Sequence, residues 1–444
     1  MKKAILPLML VALFGGRAEA ADLLSVYRDA LSNDAQFASA KASLEAGREK
    51  LPQARAGLLP SLGLTANTVW NDVTSTRKSE PPTTTASKYN TNGYTLTLTQ
   101  PLFRWQNIVQ YGQSKLQVAQ VEAQFAQARQ DLILRVAQAY FDVLLAQDSL
   151  QLAQAQKKAI SEQLEQARRN FEVGTATITD THEAQARYDL AVAQELAAQN
   201  DLDVKRHALR QITGKEPEPL RPLRPEVRLQ PPQPGDMGQW VKAAEQDNFL
   251  VQVAQAGLEI AAKEVEKQRA GHYPSVDVVA TRSRSATSGS VFSGVSFGGS
   301  VTESNTIGVQ LNLPLFAGFA TVSRTDEAAA LREKALADLE NSRRTAAQGA
   351  RQAYLGVTSG LAQVKALEQA LVSSQSALES NRLGYEVGVR INIDVLNAQQ
   401  QVYATQRDLA KARYDTLLAQ LRLKAAAAAL GEDDVQQINA LLGQ

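Results

Sequence analysis

The chain has 444 residues, 44% of them hydrophobic but only 6% aromatic, with a formal net charge of +1 and no cysteine. Near-neutrality argues against a nucleic-acid partner, which calls for a strongly basic surface. The lack of cysteine excludes disulfides and thiolate metal sites, and so few aromatics do not suit a single round core.

At the start, Lys2 and Lys3 precede an apolar run from Ala4 to Phe14, followed by Ala18-Glu19-Ala20. That order predicts a secretory signal over residues 1–20. The run is too short for a spanning helix, which needs about 20 apolar residues. Removing the signal takes away three basic residues and one acidic one, so the charge becomes +1 − 2 = −1.

Past the signal the chain repeats itself. Gly57-Leu-Leu-Pro60-Ser61 recurs as Gly271-His-Tyr-Pro274-Ser275, and Gln138-Ala-Tyr140 as Gln352-Ala-Tyr354, both 214 residues on. Phe171-Glu-Val-Gly174 recurs as Tyr385-Glu-Val-Gly388 at the same offset, and Pro101-Leu-Phe103 as Pro314-Leu-Phe316 at 213. The chain therefore reads as two copies of one unit, residues 21–214 and 236–431, with a tail over 432–444. Between the copies, Gly214 to Gly235 holds seven of the fifteen prolines. Proline removes a donor and fixes φ, so residues 215–235 are expected to be an extended linker.

Each copy opens on a helical run; the first spans Leu23 to about Ala56, and Pro52 is expected to kink or end it near Leu51. The period then changes to two. Leu62, Leu64, Ala66 and Trp70 alternate with Ser61, Gly63, Thr65 and Asn67, and Tyr94, Leu96 and Leu98 alternate with threonines. In the second copy Val276, Val278 and Ala280, then Ile307, Val309, Leu311 and Leu313, do the same. Strands are expected at about 60–73, 92–101, 274–283 and 304–314, closed by exposed loops at 74–88 and 284–303. A sandwich strand would alternate in the same way. The polar faces, however, are Ser, Thr, Gly and Asn, and the hairpins stand alone between helices. Both features suit an outer-membrane barrel, where Trp70 and Tyr94 would fit an interfacial girdle, ordinary apolar packing being the alternative.

Next come the longest runs. Every alternate third and fourth residue from Leu132 through Val136, Ala139, Val143 and Ala146 to Phe171 is apolar except Lys157, and the same positions recur from Ala346 to Tyr385. This is a coiled-coil seam. At 1.5 Å per residue a run of about 65 residues is roughly 100 Å long. Helices are expected to return over about Thr181–Thr213 and Val395–Leu430, giving two hairpins, about 104–213 and 318–430, each turning on a Val-Gly pair. The last helix stops close to Gln444, so no long C-terminal tail is expected. Four strands cannot close a barrel, because outer-membrane barrels start at 8 strands and an open edge in lipid leaves backbone groups unpaired. Copies must share one, with 8, 12 or 16 strands for two, three or four chains.

The chain resembles the TolC family of outer-membrane efflux and type I secretion channels. The resemblance rests on the duplication, Leu-Leu-Pro-Ser-Leu-Gly-Leu at 58–64, Leu-Arg-Gln-Ile-Thr-Gly at 209–214, Val-Gly at both turns, Ile-Thr-Asp at 178–180 and Asp-Val-Leu at 394–396. It implies a mainly α fold with a membrane β-barrel: a homotrimer whose 12-stranded barrel continues into an α-helical coiled-coil tunnel. The linker and tail would form an equatorial layer, the first hairpin the outer coiled coil and the second the inner one. It also implies a periplasmic adaptor and an inner-membrane pump of RND, ABC or MFS type as partners.

By the same resemblance, Asp394 and Asn397 fall on the pore constriction, Asn397 replacing a second aspartate. Arg390 would tie the closed state to Thr179 and Asp180, together with Tyr385, and Val173, Gly174, Val387 and Gly388 would meet the adaptor. One carboxylate ring in place of two predicts weaker cation selectivity and weaker divalent block. Thr175 and Val389 depart from the usual residues, so adaptor recognition is expected to differ in detail. Without the resemblance, both aspartates are equally explained as anions at positive helix N-termini, and both glycines as turn residues.

His182, His207 and His272 have no ligand pattern around them, and no phosphate loop or nucleophile elbow occurs. No cofactor or enzymatic activity is expected. Two rivals are a secreted coiled-coil scaffold, which leaves the strands unexplained, and a constitutively open porin, which leaves the long helices unexplained.

Overall fold

The computed structural model describes residues 20–443 except Ala176, Pro217, Ser293 and Gly294, and gives only backbone for residues 290–292 and 295–297. The expected signal, apart from Ala20, lies outside the described residues. Two compact units are present: Met1–Ala42 with Phe125–Val251 and Arg343–Gln444, and Ser43–Gln124 with Gln252–Ser342.

The second of these holds the sheet. Strands β1 (Ser61–Arg77), β2 (Thr83–Phe103), β3 (Ser275–Thr287) and β6 (Ser300–Asn312) pair antiparallel in the order β1-β2-β3-β6, and β4 (Ser290–Phe292) with β5 (Val295–Phe297) makes a small separate hairpin. Apart from a register shift between Pro101 and Phe103 of β2, the rows run straight across all four strands. Leu62, Leu98, Ala280 and Ile307 are successive partners in one row, and Gly63, Thr97, Thr281 and Thr306 in the next. A period of two therefore makes one face apolar and the other hydroxyl-rich. On the polar face the Asp277 carboxylate accepts from Nε and one terminal nitrogen of Arg104, at 2.8 and 2.7 Å. The strands run beyond the expected 60–73, 92–101, 274–283 and 304–314. Thr74–Arg77 and Thr83–Lys88, expected in a loop, pair across a short turn, for example Thr76 with Thr84. Threonine is β-branched and sits well in a strand once a partner ladder exists.

In this unit α3 (Lys50–Ala56) accompanies parts of α2 (Ala35–Arg48), α4 (Trp105–Glu172), α7 (Phe249–Arg269) and α8 (Ala320–Glu386). The opening run breaks at Glu49, not Leu51, and Pro52 sits in the first turn of α3, where its missing N–H has no helical partner to lose.

The other unit holds α1 (Leu23–Asn33), α5 (Ile178–Thr213), α6 (Met237–Asp247), α9 (Asn392–Ala426) and α10 (Glu432–Asn439), with the remainders of α4 and α8. Leu132, Val136, Val143 and Ala146 of the seam are buried, beside Leu202 and Leu209 of α5 and Leu417 and Leu421 of α9. Phe141 stacks on Tyr414 at 5.5 Å. Lys157, the polar seam position, is paired with Glu195. A second break, at Asp34, was not expected. The Asp34 carboxylate accepts from the Phe37 N–H at 2.6 Å, opening α2, and from both terminal nitrogens of Arg135 at 3.0 Å. The linker is extended and pinned at both sides. Leu220 bridges Ala21, Leu223 bridges Leu442, and the Tyr140 hydroxyl donates to the Arg221 carbonyl at 2.8 Å.

Candidate functional site at the hairpin tips

The two hairpin turns belong to the same unit and share one backbone solution. Gly174 and Gly388 have φ of +77° and +79°, the left-handed conformation that glycine adopts without a Cβ penalty. The Thr175 N–H returns to the Asn170 carbonyl at 2.8 Å, as the Val389 N–H returns to Gly384 at 2.9 Å. A Cβ on Gly384 would lie 2.7 Å from Cγ of Arg390, so glycine there lets the arginine stem pack on the helix end. Val173, Val387 and Val389 stand 73%, 65% and 75% exposed, an apolar crown on each turn.

Beyond the turns the copies diverge. In α5 the N-cap Thr177 donates from its backbone N–H and its hydroxyl to the Asp180 carboxylate, at 2.9 and 2.8 Å, and its Oγ accepts from the Asp180 N–H at 3.3 Å. That is a capping box, which satisfies orphan donors at the helix start. In α9 the N-cap is Ile391, which has no hydroxyl and makes no side-chain cap. Asp394, in the position of Asp180, is left free of that duty and lies 3.5 Å from Arg390.

Bonds between the hairpins come from elsewhere. Arg187 of α5 donates to the Asn397 side-chain carbonyl at 2.9 Å and to that of Gln400 at 3.0 Å. The Asn170 amide donates to the Tyr385 hydroxyl at 3.3 Å. Ile160, Ala191 and Leu396 form a small apolar cluster against Tyr188. The expected tie from Arg390 to Thr179 and Asp180 is not made within the chain, among the described residues. Both ends are occupied locally, Arg390 by Asp394 and Asp180 by Thr177. Tyr385 does reach the other hairpin, but through Asn170. Arg187, Gln400, Asn170, Thr177 and Gly384 went unmarked in the sequence. For Arg187 no signal existed, since it lies two turns up α5 with no motif and no repeat partner.

A family model described as "Outer membrane efflux protein" matches residues 26–215 and again 240–429, once for each copy of the repeat. The chain belongs to the outer membrane efflux protein family. It is 33% identical over 441 residues to the outer membrane protein TolC of Vibrio cholerae, covering 99% of this chain and 98% of that one. It is 34% identical to the alkaline protease secretion protein AprF of Pseudomonas aeruginosa, over 95% and 88% of the two chains. Among solved structures, VceC of Vibrio cholerae matches with a TM-score of 0.76 at 22% identity, over 92% and 96% of the chains. The CmeC outer membrane channel of Campylobacter jejuni matches at 0.78 and 17%, over 94% and 89%. The protein is thus an outer-membrane channel of the efflux family, which is a transport family and not an enzyme family. The fold is that of these channels, mostly helical with an antiparallel sheet.

Proposed function

We propose that the protein is the outer-membrane exit duct of a tripartite export system, used for drug efflux, type I protein secretion or both, and gated at its periplasmic end. The observation that carries this reading is the row structure of the sheet. Over the rows nearest the helices one face is hydrocarbon, from Leu62, Leu64, Leu96 and Leu98 across to Val278, Ala280, Ile307 and Val309, and the other is mainly hydroxyl, amide and glycine, as a lipid-facing and water-facing wall requires. Three chains would close twelve strands into one barrel, β6 of each meeting β1 of the next and leaving no edge in lipid. The helical hairpins would line a periplasmic tunnel, the first pair outside and the second inside, with the linker and tail as an equatorial layer.

At the tunnel end, the Asp394 side chains of three chains would form a ring of like charge that favours cations, with Asn397 adding polarity but no charge. Arg187 and the Asn170–Tyr385 bond would hold the inner hairpin against the outer one. Each such bond is worth about 1 kcal/mol. Three bonds repeated three times come to about 9 kcal/mol, more than the ~5.5 kcal/mol that separates a 1:99 population from 99:1. The exposed Arg390–Asp394 pair contributes little, so Arg390 is free to exchange onto Asp180 or Thr179. The valine crowns at Val173-Gly174 and Val387-Gly388 would receive the adaptor, and an inner-membrane pump of RND, ABC or MFS type would supply the energy.

Purified protein added to a planar bilayer is expected to insert as discrete, low-conductance channels, and chemical cross-linking to trap three chains. A protein that forms no channel, or cross-links only as a dimer, would contradict the duct.

A further inference from the structure

The lipid-facing register of the sheet is not uniformly apolar. Alternate residues of β3 on this face are Val276, Val278, Ala280, Arg282 and Arg284; on β6 they are Leu311, Val309, Ile307, Asn305 and Glu303. Two arginines and one carboxylate interrupt the hydrocarbon together. Arg284 faces Glu303 with 3.8 Å between charged atoms, and both stay largely exposed. Arg282 is paired across the ladders with Leu96 and Asn305, neither of them an anion. Among the described residues it makes no ion pair. The remaining charges of this face, Lys88 and Asp72, neutralise each other at 2.9 Å. The patch therefore carries one uncompensated cation per chain.

Its level is set by the strand. Arg282 and Arg284 lie seven and nine residues beyond Ser275, where β3 begins. At 3.3 Å per residue and a tilt near 40°, those steps are about 18 and 23 Å, against an apolar band about 25 Å tall. Aromatics mark both rims. Phe316 and Phe319, 76% and 72% exposed, meet edge to face at 5.5 Å just past the lower end of β6. Tyr94 is the direct partner of Arg284 at the upper end. A cation is costly on the lipid face at the midplane and nearly free at the interface. The unpaired Arg282 starts a little below the upper rim, its long stem carries the guanidinium up to the level where phosphates lie, and its planar fork matches phosphate oxygens.

We propose that Arg282 and Arg284, with Tyr94 beside them, form a site for the phosphate headgroup of an outer-leaflet lipid, one per chain around the barrel. The site rests on the barrel reading above, which places this face in lipid. Glu303 engages Arg284 across the strands and leaves Arg282 as the principal phosphate donor.

The test uses the full-length protein, delipidated in neutral detergent and mixed with dioleoyl phosphatidic acid, then examined by native mass spectrometry. The wild type is expected to retain phosphatidic acid about tenfold better than Arg282→Gln/Arg284→Gln, and Arg282→Lys to keep most of that retention. Equal retention by the double variant, or equal retention of phosphatidylcholine by the wild type, would overturn the site. Full displacement of the lipid by low-millimolar inorganic phosphate would assign the site to a free anion and also overturn the proposal. Channel formation in a planar bilayer separates the two failures. A wild type without channels would sink the barrel reading, whereas variants that form normal channels and retain lipid would sink this site alone.

Discussion

The two hairpin tips began as copies and have become different devices. Both turn on a left-handed glycine, and both place an aspartate in the first turn of the returning helix, at Asp180 and Asp394. In the first tip Thr177 consumes that carboxylate in a capping box. In the second tip Ile391 offers nothing to hold it, and the charge faces Arg390 and the surroundings. One methyl-bearing hydroxyl exchanged for a hydrocarbon chain separates a structural carboxylate from an available one. A carboxylate becomes available for other contacts when its neighbour stops using it.

The comparison can be broken most easily at the charge. Asp394→Asn is expected to lower the cation-over-anion permeability ratio several-fold, as reversal potentials in a salt gradient will show, while Asp180→Asn leaves the ratio unchanged. Equal effects would erase the distinction between the tips. A third helix-opening carboxylate, Asp34, provides the purely structural extreme. Burial, the largest single influence, would raise it, but the Arg135 hydrogen bonds and charge together with the Phe37 and Gln36 N–H groups more than offset that and hold it below its ordinary 3.8. A depressed carboxylate stabilises above its unfolded value and loses that contribution as pH falls through its folded one. Asp34→Asn is therefore expected to cost about 2 kcal/mol at pH 7, less than the ~3–5 of a fully buried pair because Arg135 is partly exposed. The gap in melting temperature should close as pH falls below about 4; a gap that persists there would point to packing instead.

Smaller effects sharpen the picture. Thr177→Ala removes a cap and should cost about 1 kcal/mol in thermal unfolding without changing conductance. Ile391→Thr should gain about 0.5–1 kcal/mol by building the missing capping box. It should also draw Asp394 off Arg390, so that charge selectivity weakens slightly. A stabilised variant with stronger selectivity would run against the proposed competition.

Periodicity made the repeat, the seam, the four strands and the Pro-rich linker legible, because each is dictated by residues close in sequence. What it hid depends on distant partners. The break at Asp34 leaves the apolar spacing from Leu31 to Phe37 undisturbed and is fixed by Arg135, about a hundred residues away. The Ser/Thr ends of β1 and β2 read as loop until each supplies the other with a ladder. At the tips, the family pattern pointed to Arg390 and Asp180 but not to the local partners that occupy them. Arg187 carried no pattern at all, although it makes two of the bonds between the hairpins.

Contacts between the hairpins, with Arg187 foremost, are proposed to keep the tunnel end closed. Single-channel conductance of Arg187→Ala beside the wild type tests that proposal directly. A several-fold rise is expected, larger still when Tyr385→Phe removes the hydroxyl to which Asn170 donates. Conductance equal to the wild type in both variants would contradict it and leave Arg187 as an ordinary surface residue of α5.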